Sequence, residues 1–358
     1  MYKRSRKRPG LQPVFKRRVL VFVPVVNSIN KPLMPTIPSR ARRWIKSGKA
    51  TPFWKKGVFC VRLNVEPSDN KLQKVVVGID PGSKREAYTV KSETHTYLNI
   101  LSETEDWIKK SLEVRRTMRR TRRFRNCRRR ECRFDNRHKN FLPPSTKARW
   151  ALKLRICNNL RKIFPITDYI IEDIKTRTKN SKDRWNISFS PLEVGKKYFY
   201  SEISKFGNLT LKQGYETKQL RDFLNLPKLK DKLSDNFYAH NVDSWVLANS
   251  IVGKYNTPDN ENMLKIIPLQ FHRRQLHALQ PNIGGKRRLY GGTMSLGFKR
   301  GSLVKHKKYN IVYVGGFLEK RGISLHSLSN NERICRTAKI KDIKFLSYNC
   351  YRYYNLKT

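Results

Sequence analysis

Apolar residues are concentrated in short runs along the first part of the chain, and these runs predict β-strands. The strand-like runs VLVFV and VFCVRLNV lie on either side of a Pro-punctuated stretch, so the two strands could pair with each other. The run KVVVGID stops at an acidic residue, turns on Pro-Gly-Ser and resumes as an alternating strand, and THTYLNILSE gives a third strand. The tight connections between these three strands predict an antiparallel sheet edge.

From about residue 105 to 139 the pattern changes to an Arg-rich stretch without Gly or Pro. Arg is a good helix former, so a helix is predicted here. Basic residues occupy every face of it, whereas a surface helix of a globular protein keeps an apolar stripe towards its core. Two interpretations remain: a solvated basic run, or a helix held between nucleic-acid strands, with arginines contacting phosphates on more than one side.

The rest of the chain alternates between helical, strand-like and polar segments. FLPPSTKARWALKLRICNNLRKIF predicts a loop followed by an amphipathic helix, and TDYIIEDIK predicts a buried strand. Residues 176–238 are polar and weakly patterned, and NVDSWVLANSIVGK then predicts a helix with an apolar face. The last ninety or so residues are rich in glycine and short apolar runs, which predicts a small basic β-domain.

Three acidic residues stand at the ends of these predicted elements. Asp80 ends the strand VVVGID, Glu172 ends the strand YIIE, and Asp243 opens a helix with His240 one turn before it. Each has an ordinary structural explanation as a turn residue, a strand-end ion-pair partner or a helix cap. Their order along the elements, however, is that of an RNase H-like nuclease.

Clustered carboxylates would suit phosphodiester hydrolysis. Two divalent ions held by such a cluster can neutralise the transition state and activate a water molecule. Magnesium is the expected ion, since it prefers hard carboxylate oxygens and keeps several waters. The imidazole of His240 would orient or deprotonate the attacking water.

The charge balance indicates a nucleic-acid partner. The 358 residues include 78 Lys and Arg against 27 Asp and Glu, a formal net charge of +51. A long polyanion is expected to accompany such a chain, because phosphate contacts release condensed counterions. No apolar run reaches the roughly 18 residues that span a bilayer, and the N-terminus does not resemble a secretory signal.

The six cysteines show no CxxC spacing, which argues against a zinc ribbon or a disulfide framework and predicts a reducing location. The expected compartment is the bacterial cytoplasm, at the nucleoid, or an organellar stroma.

Several motifs together resemble the IscB and IsrB proteins, transposon-encoded relatives of the large type II CRISPR effector nuclease. PLMP followed by PSRARRWIKSGKA is similar to their N-terminal signature, and the Arg-rich stretch is similar to their bridge helix. GIDPGSK, YIIEDIK and AHNVDSWVLA resemble their three RuvC segments, and GYETK and RRLYGGT are further matches. The resemblance implies that Asp80, Glu172, His240 and Asp243 are catalytic. It also implies that the three carboxylates bind Mg²⁺ as two ions, with Mn²⁺ as a substitute.

The resemblance implies an α/β fold with an RNase H-like (RuvC) core that is split in sequence. The expected parts are a PLMP-type domain at 1–70, RuvC segment I at 71–104, the bridge helix at 105–140, RuvC segment II at 141–176, a linker at 177–236, RuvC segment III at 237–262 and a β-rich C-terminal domain at 263–358. The last of these would read the motif beside the target.

One departure favours IsrB over IscB. IscB carries an HNH nuclease between its second and third RuvC segments, but here the 67 residues between Glu172 and His240 include neither His nor Cys. An HNH metal site needs a histidine. A single nuclease centre predicts a nick, which the family places in the non-target strand.

The implied partners are an omega-type guide RNA and target double-stranded DNA, bound by a monomeric protein without a membrane. The residues expected to contact nucleic acid are Arg115, Arg116, Arg119, Arg120, Arg122 and Arg123 in the bridge helix, and Lys286, Arg287 and Arg288 near the C-terminus. Two alternatives remain: a non-catalytic basic RNA-binding protein, and a guide-free, structure-specific RuvC-like nuclease. TnpB-like nucleases share the RuvC centre but carry a CxxC pair, which is missing here.

Overall fold

The computed structural model describes residues 21–67, 71–125, 141–173, 191–231, 233–270, 279–280, 285–286, 294–318 and 322–356. Within them the fold is mixed α/β, with six α-helices and several sheets. No helix in these ranges is both long and apolar enough to cross a membrane.

The N-terminal region is a four-stranded sheet with one helix. Its elements are β1 (Val23–Val26), β2 (Pro32–Thr36), α1 (Pro38–Lys46), β3 (Ala50–Lys55) and β4 (Val58–Leu63), and the strand order is β2-β1-β4-β3. Strand β1 does lie beside β4, in parallel, but it pairs through Val25 and Val26, which follow the predicted run VLVFV. The prolines of PLMP fall in β2, an edge strand, where a missing backbone N–H is tolerated.

The centre of the molecule is a seven-stranded mixed sheet. Its strands are β5 (Val75–Asp80), β6 (Arg85–Ser92), β7 (Thr96–Glu103), β8 (Asp168–Asp173), β9 (Asn208–Gln213), β10 (Met263–Pro268) and β20 (Tyr351–Leu356). Their order is β20-β10-β7-β6-β5-β8-β9. Strands β5, β6 and β7 pair antiparallel as predicted, but they form the middle of the sheet rather than an edge, because β8 adds parallel to β5 and β10 parallel to β7.

Helices cover both faces of this sheet. They are α3 (Pro144–Leu160), α4 (Pro191–Ile203), α5 (Gly214–Phe223) and α6 (Asn241–Val252), whereas a further helix, α2 (Trp107–Phe124), is largely exposed. On one face, α3 and α4 pack in the same apolar cluster as Val75, Val77 and Ile79 of β5. On the other face, α6 packs against Val76 and against β8. Burial on both faces explains why β5 is apolar without alternation.

Two segments are more closely built into the core than their sequence indicates. The polar stretch expected to be a linker at 177–236 contributes α4, β9 and α5, and β9 pairs with β8 in the central sheet. The segment expected to be a separate C-terminal domain contributes β10 and β20 to the same sheet. Polar, short strands carry a weak local pattern, so their pairing depends on tertiary contacts.

The rest of the C-terminal segment is β-rich, as predicted. It contains β11 (Leu279–Gln280), β12 (Gly285–Lys286), β13 (Met294–Ser295), β14 (Phe298–Lys299), β15 (Ser302–His306), β16 (Asn310–Leu318), β17 (Gly322–His326), β18 (Arg333–Ala338) and β19 (Ile343–Tyr348). The last five form a sheet in the order β18-β17-β16-β15-β19 around its own apolar cluster.

Candidate active site

Asp80 and Glu172 lie at the ends of two neighbouring parallel strands. The last paired residues of β5 and β8 are Ile79 and Ile171, and each is followed directly by one of the two acidic residues. Both residues are only partly buried, whereas the strand residues before them are buried. The register therefore presents two carboxylates side by side where the buried strands reach the surface.

Asp243 reaches the same place because α6 packs very close to β5. A Cβ atom added to Gly78 would lie only 1.9 Å from the backbone oxygen of Ser244, so only glycine permits this approach. Gly78 precedes Asp80 by two residues and Ser244 follows Asp243. The first turn of α6 thus brings the third carboxylate to the strand ends, with Asp243 6% exposed.

His240 stands at the N-terminus of α6, half-buried, and its backbone N–H bonds to the oxygen of Phe237 at 3.3 Å. The carbonyl of His240 in turn accepts the N–H of Asp243 at 3.3 Å. This backbone link holds the imidazole one turn before the third carboxylate. The helix cap is therefore His240, and its side chain makes no capping bond.

The three carboxylates influence one another electrostatically. Burial raises the pKa of Asp80 to about 7, and the negative charges of Glu172 and Asp243 add to this effect. The pKa of Glu172 is also raised, first by burial and then by Asp243, although a hydrogen bond from the Thr217 side chain opposes the rise. Such mutual repulsion marks a place where negative charge is not fully compensated.

Two cations hold Asp243. Arg221 of α5 donates from Nη1 to Oδ1 at 2.6 Å, and Lys228 donates from Nζ to Oδ2. Sequence reasoning missed both residues. The only local signal was the motif GYETK at the start of α5, whose Gly214 leaves room beside Glu172: a Cβ there would lie 3.1 Å from Oε1.

The donor set suits a hard divalent cation, although no such ion forms part of the structure. Among the described ranges, no three His, Cys, Asp or Glu side chains lie close enough together to hold a metal ion as they stand. The reason is visible at Asp243, whose two oxygens both bond to cationic side chains. The chemistry of three converging carboxylates fits the ion, provided that Asp243 exchanges a cationic partner for it.

Carboxylates on the opposite face of the same sheet are matched by buried lysines. Glu86 of β6 pairs with Lys153 of α3 and accepts a hydrogen bond from the hydroxyl of Tyr88 at 2.8 Å. Asp173, next to Glu172, pairs with Lys196 of α4 at 2.7 Å. These acidic residues are structural.

The arginines predicted to contact nucleic acid lie on α2, and that helix is largely exposed. All six are exposed: Arg115, Arg116, Arg119, Arg120, Arg122 and Arg123. Ile108 is the helix's buried residue, while the apolar side chains of Leu112, Val114 and Phe124 remain exposed. Of the three predicted C-terminal residues, Arg287 and Arg288 lie outside the described residues, and Lys286 is described only as part of β12.

Comparison with known proteins gave one family match. The sequence profile of the RRXRR protein family matches residues 23–188, which is less than half of the chain. This range includes both Asp80 and Glu172, and the run RRTRR at Arg119–Arg123 of α2 fits the letters of the family's name. No curated protein matched.

Solved structures gave distant similarities. T. thermophilus RuvC in complex with a Holliday junction substrate is 13% identical, with 51% of this chain and 97% of that chain covered and a TM-score of 0.28. The yeast mitochondrial Holliday junction resolvase Ydc2 is 15% identical, with 52% and 80% covered and a TM-score of 0.26. A CRISPR-Cas12f ternary complex is 13% identical, with 60% and 49% covered and a TM-score of 0.32. Superpositions this loose carry no argument about function, so the functional case depends on the site.

Proposed function

We propose that this protein is a metal-dependent DNA endonuclease of the RuvC type, directed by a guide RNA, that nicks one strand. The observation that carries the proposal is the convergence of Asp80, Glu172 and Asp243 from two strands and a helix that are distant in sequence. Burial and neighbouring carboxylates raise the pKa of Asp80 and of Glu172, so ionising both residues beside Asp243 is unfavourable unless a cation is bound among them.

In this proposal the three carboxylates hold Mg²⁺, or Mn²⁺ in its place. A bound divalent ion would supply charge neutralisation at the scissile phosphate and a more acidic water. Asp80 and Glu172 are oriented by the paired ends of β5 and β8, so their spacing is fixed by the sheet. His240, at the start of α6, would accept a proton from the attacking water.

The strand order supports an RNase H-like core. Along the sheet, β7, β6, β5, β8 and β9 are the third, second, first, fourth and fifth of its strands in chain order, and β6 is antiparallel to β5. The first strand and the fourth carry two of the three acidic residues. The sequence predicts the order of these elements along the chain, whereas their order across the sheet comes from the structure.

RNA guidance is supported by charge and by α2. A formal net charge of +51 needs a polyanion, and α2 exposes arginines and apolar side chains together. An isolated helix with so little packing is stabilised best by a partner. A nick is expected because residues 173–239 contain no His or Cys for a second, HNH-type centre.

The direct test is cleavage by the purified ribonucleoprotein. RNA that copurifies with the protein is sequenced, and a labelled duplex matching its guide segment is incubated with the complex and Mg²⁺. One strand is expected to be cut by the wild type. Asp80→Ala is expected to lose at least about a thousandfold in rate while retaining RNA and duplex binding.

Each alternative has its own outcome in this assay. Tight RNA binding with no metal-dependent cleavage by the wild type would indicate a non-catalytic RNA-binding protein. Cleavage of branched DNA that persists after the RNA is digested would indicate a guide-free nuclease. Loss of RNA binding in Asp80→Ala would make that residue structural.

The phosphate contacts predict a steep dependence of RNA affinity on salt. The slope of log K against log salt is expected to be roughly −0.7 to −0.9 for each phosphate neutralised. Changing Arg119 and Arg123 of α2 to Gln should make the slope shallower by about one to two. Filter binding at several salt concentrations measures it, and an unchanged slope would remove α2 from the RNA interface.

A further inference from the structure

Lys228 is held in place by the chain on both sides of it. Leu226, two residues before, is buried with Phe237 and Trp245, and its N–H bonds to the oxygen of Arg221 at 3.1 Å. Leu229, the next residue, donates its N–H to the oxygen of Tyr238 at 3.0 Å. These contacts fix the backbone on both sides of Lys228, whose ammonium bonds to Asp243.

The two cations on Asp243 differ in how easily they can leave. Arg221 bonds to Oδ1 and its side chain is 13% exposed, whereas Lys228 bonds to Oδ2 and its side chain is 30% exposed. Lys228 extends from a loop, while Arg221 belongs to a helix that packs on α6. A cation that lies nearer to solvent loses less on moving away, so Oδ2 is the oxygen that can be released.

Lys228 also acts on the whole cluster. Its positive charge lowers the pKa of both Asp80 and Glu172, in addition to its direct bond to Asp243. Arg221 lowers the pKa of Glu172, and Lys153 lowers the pKa of Asp80, whereas Lys228 lowers both. Lys228 thus partly balances the negative charge of all three carboxylates.

We propose that Lys228 is a built-in counter-ion that competes with divalent cations for Asp243 Oδ2. In the metal-free protein it pairs with this oxygen while Arg221 keeps Oδ1 in position. When a divalent cation is bound, Lys228 leaves Asp243 and faces the phosphate of the DNA strand. This inference rests on the proposed function, because it concerns the same three carboxylates.

The competition predicts that removing the Lys228 charge strengthens metal binding. A unit charge within several ångströms of a divalent ion repels it by an amount worth about tenfold in affinity, even in a water-like dielectric. The proposal therefore predicts tighter metal binding when the Lys228 charge is removed. Loss of a purely structural ion pair would instead leave metal binding unchanged or weaken it.

Iron-mediated cleavage of the polypeptide measures metal affinity at the three carboxylates. It can be used in the full ribonucleoprotein, where RNA also binds metals, because the cuts report only metal bound beside the polypeptide. Fe²⁺ bound at the carboxylates, with ascorbate and peroxide, cuts the backbone beside Asp80 and Glu172, and mass spectrometry quantifies the fragments. Lys228→Gln is expected to need about tenfold less Fe²⁺ for half-maximal cleavage than the wild type. Lys230→Gln, an equal charge change at an exposed residue two positions on, should stay within about twofold.

The variant Lys228→Arg, which keeps the charge, should behave like the wild type. Half-maximal Fe²⁺ that is equal or higher in Lys228→Gln than in Lys230→Gln would overturn the counter-ion proposal and leave the proposed nuclease intact. If no variant is cut at these positions, or if the cuts persist in an Asp80→Asn/Glu172→Gln double variant, the metal centre itself fails, and the counter-ion with it.

Discussion

The acidic residues on the two faces of the central sheet have different electrostatic surroundings. On the face towards α3 and α4, Glu86 pairs with Lys153 and Asp173 pairs with Lys196. On the face towards α6, Asp80 and Glu172 face other carboxylates, and their pKa values are raised.

Glu172 and Asp173 make the contrast sharpest, because they are consecutive in one strand. Burial acts to raise the pKa of Asp173, but hydrogen bonds from Lys196, Tyr200 and Gln213 outweigh it and lower the pKa. Strand alternation sends the two side chains to opposite faces. Asp173, which has a buried lysine as its partner, supports the fold, whereas Glu172, whose pKa is raised by burial and by the neighbouring carboxylate of Asp243, marks the candidate site for a cation.

The largest expected effect is a difference in nicking activity between variants of Glu172 and variants of Asp173. Glu172→Gln should reduce nicking by at least about a thousandfold, since it removes a metal-binding carboxylate, while stability stays the same or rises. Asp173→Asn should cost about 1–3 kcal/mol of stability and reduce nicking less than tenfold. Single-turnover nicking and thermal unfolding measure both. Equal loss of activity in the two variants would break the comparison.

The next effect tests the buried pair of Glu86 and Lys153, whose lysine also lowers the pKa of Asp80. Lys153→Met should lower the free energy of unfolding by about 3–5 kcal/mol, because Glu86, whose side chain is 1% exposed, would lose its cation. The double change Lys153→Met/Glu86→Leu should recover most of this loss, since no buried charge remains. Denaturant unfolding of the three proteins measures the difference. A double variant as unstable as the single one would show that packing, not charge, sets the cost.

A smaller effect concerns Asp80, on the face of the sheet towards α6, and is a change of stability with pH in the presence of EDTA. The pKa of Asp80 is about 7 in the folded protein and its ordinary value is 3.8, so between these values the folded state binds more protons than the unfolded state. Stability from this residue is therefore lost as the pH rises from about 4 to 7, by at most about 4 kcal/mol. Asp80→Asn should raise the melting temperature more at pH 8 than at pH 5. The same increment at both pH values would contradict the raised pKa.

Much of the site could be predicted from local pattern. The runs VVVGID and YIIE predict strands that end at acidic residues, and the structure places Asp80 and Glu172 at those ends. The helix carrying Asp243 was also predicted. Arg221 and Lys228 could not be found in this way, because a basic residue among 78 carries no individual signal.

The sequence by itself therefore determined the strands that carry the carboxylates, a strongly basic helix and a net positive charge that favours a polyanionic partner. Hydrophobic alternation and charge are local properties that can be read along the chain. Only the tertiary structure decided which lysine faces which carboxylate, that Gly78 lets α6 approach β5, and that β9 joins the sheet. Those outcomes depend on distances between residues far apart in sequence, which no local pattern encodes.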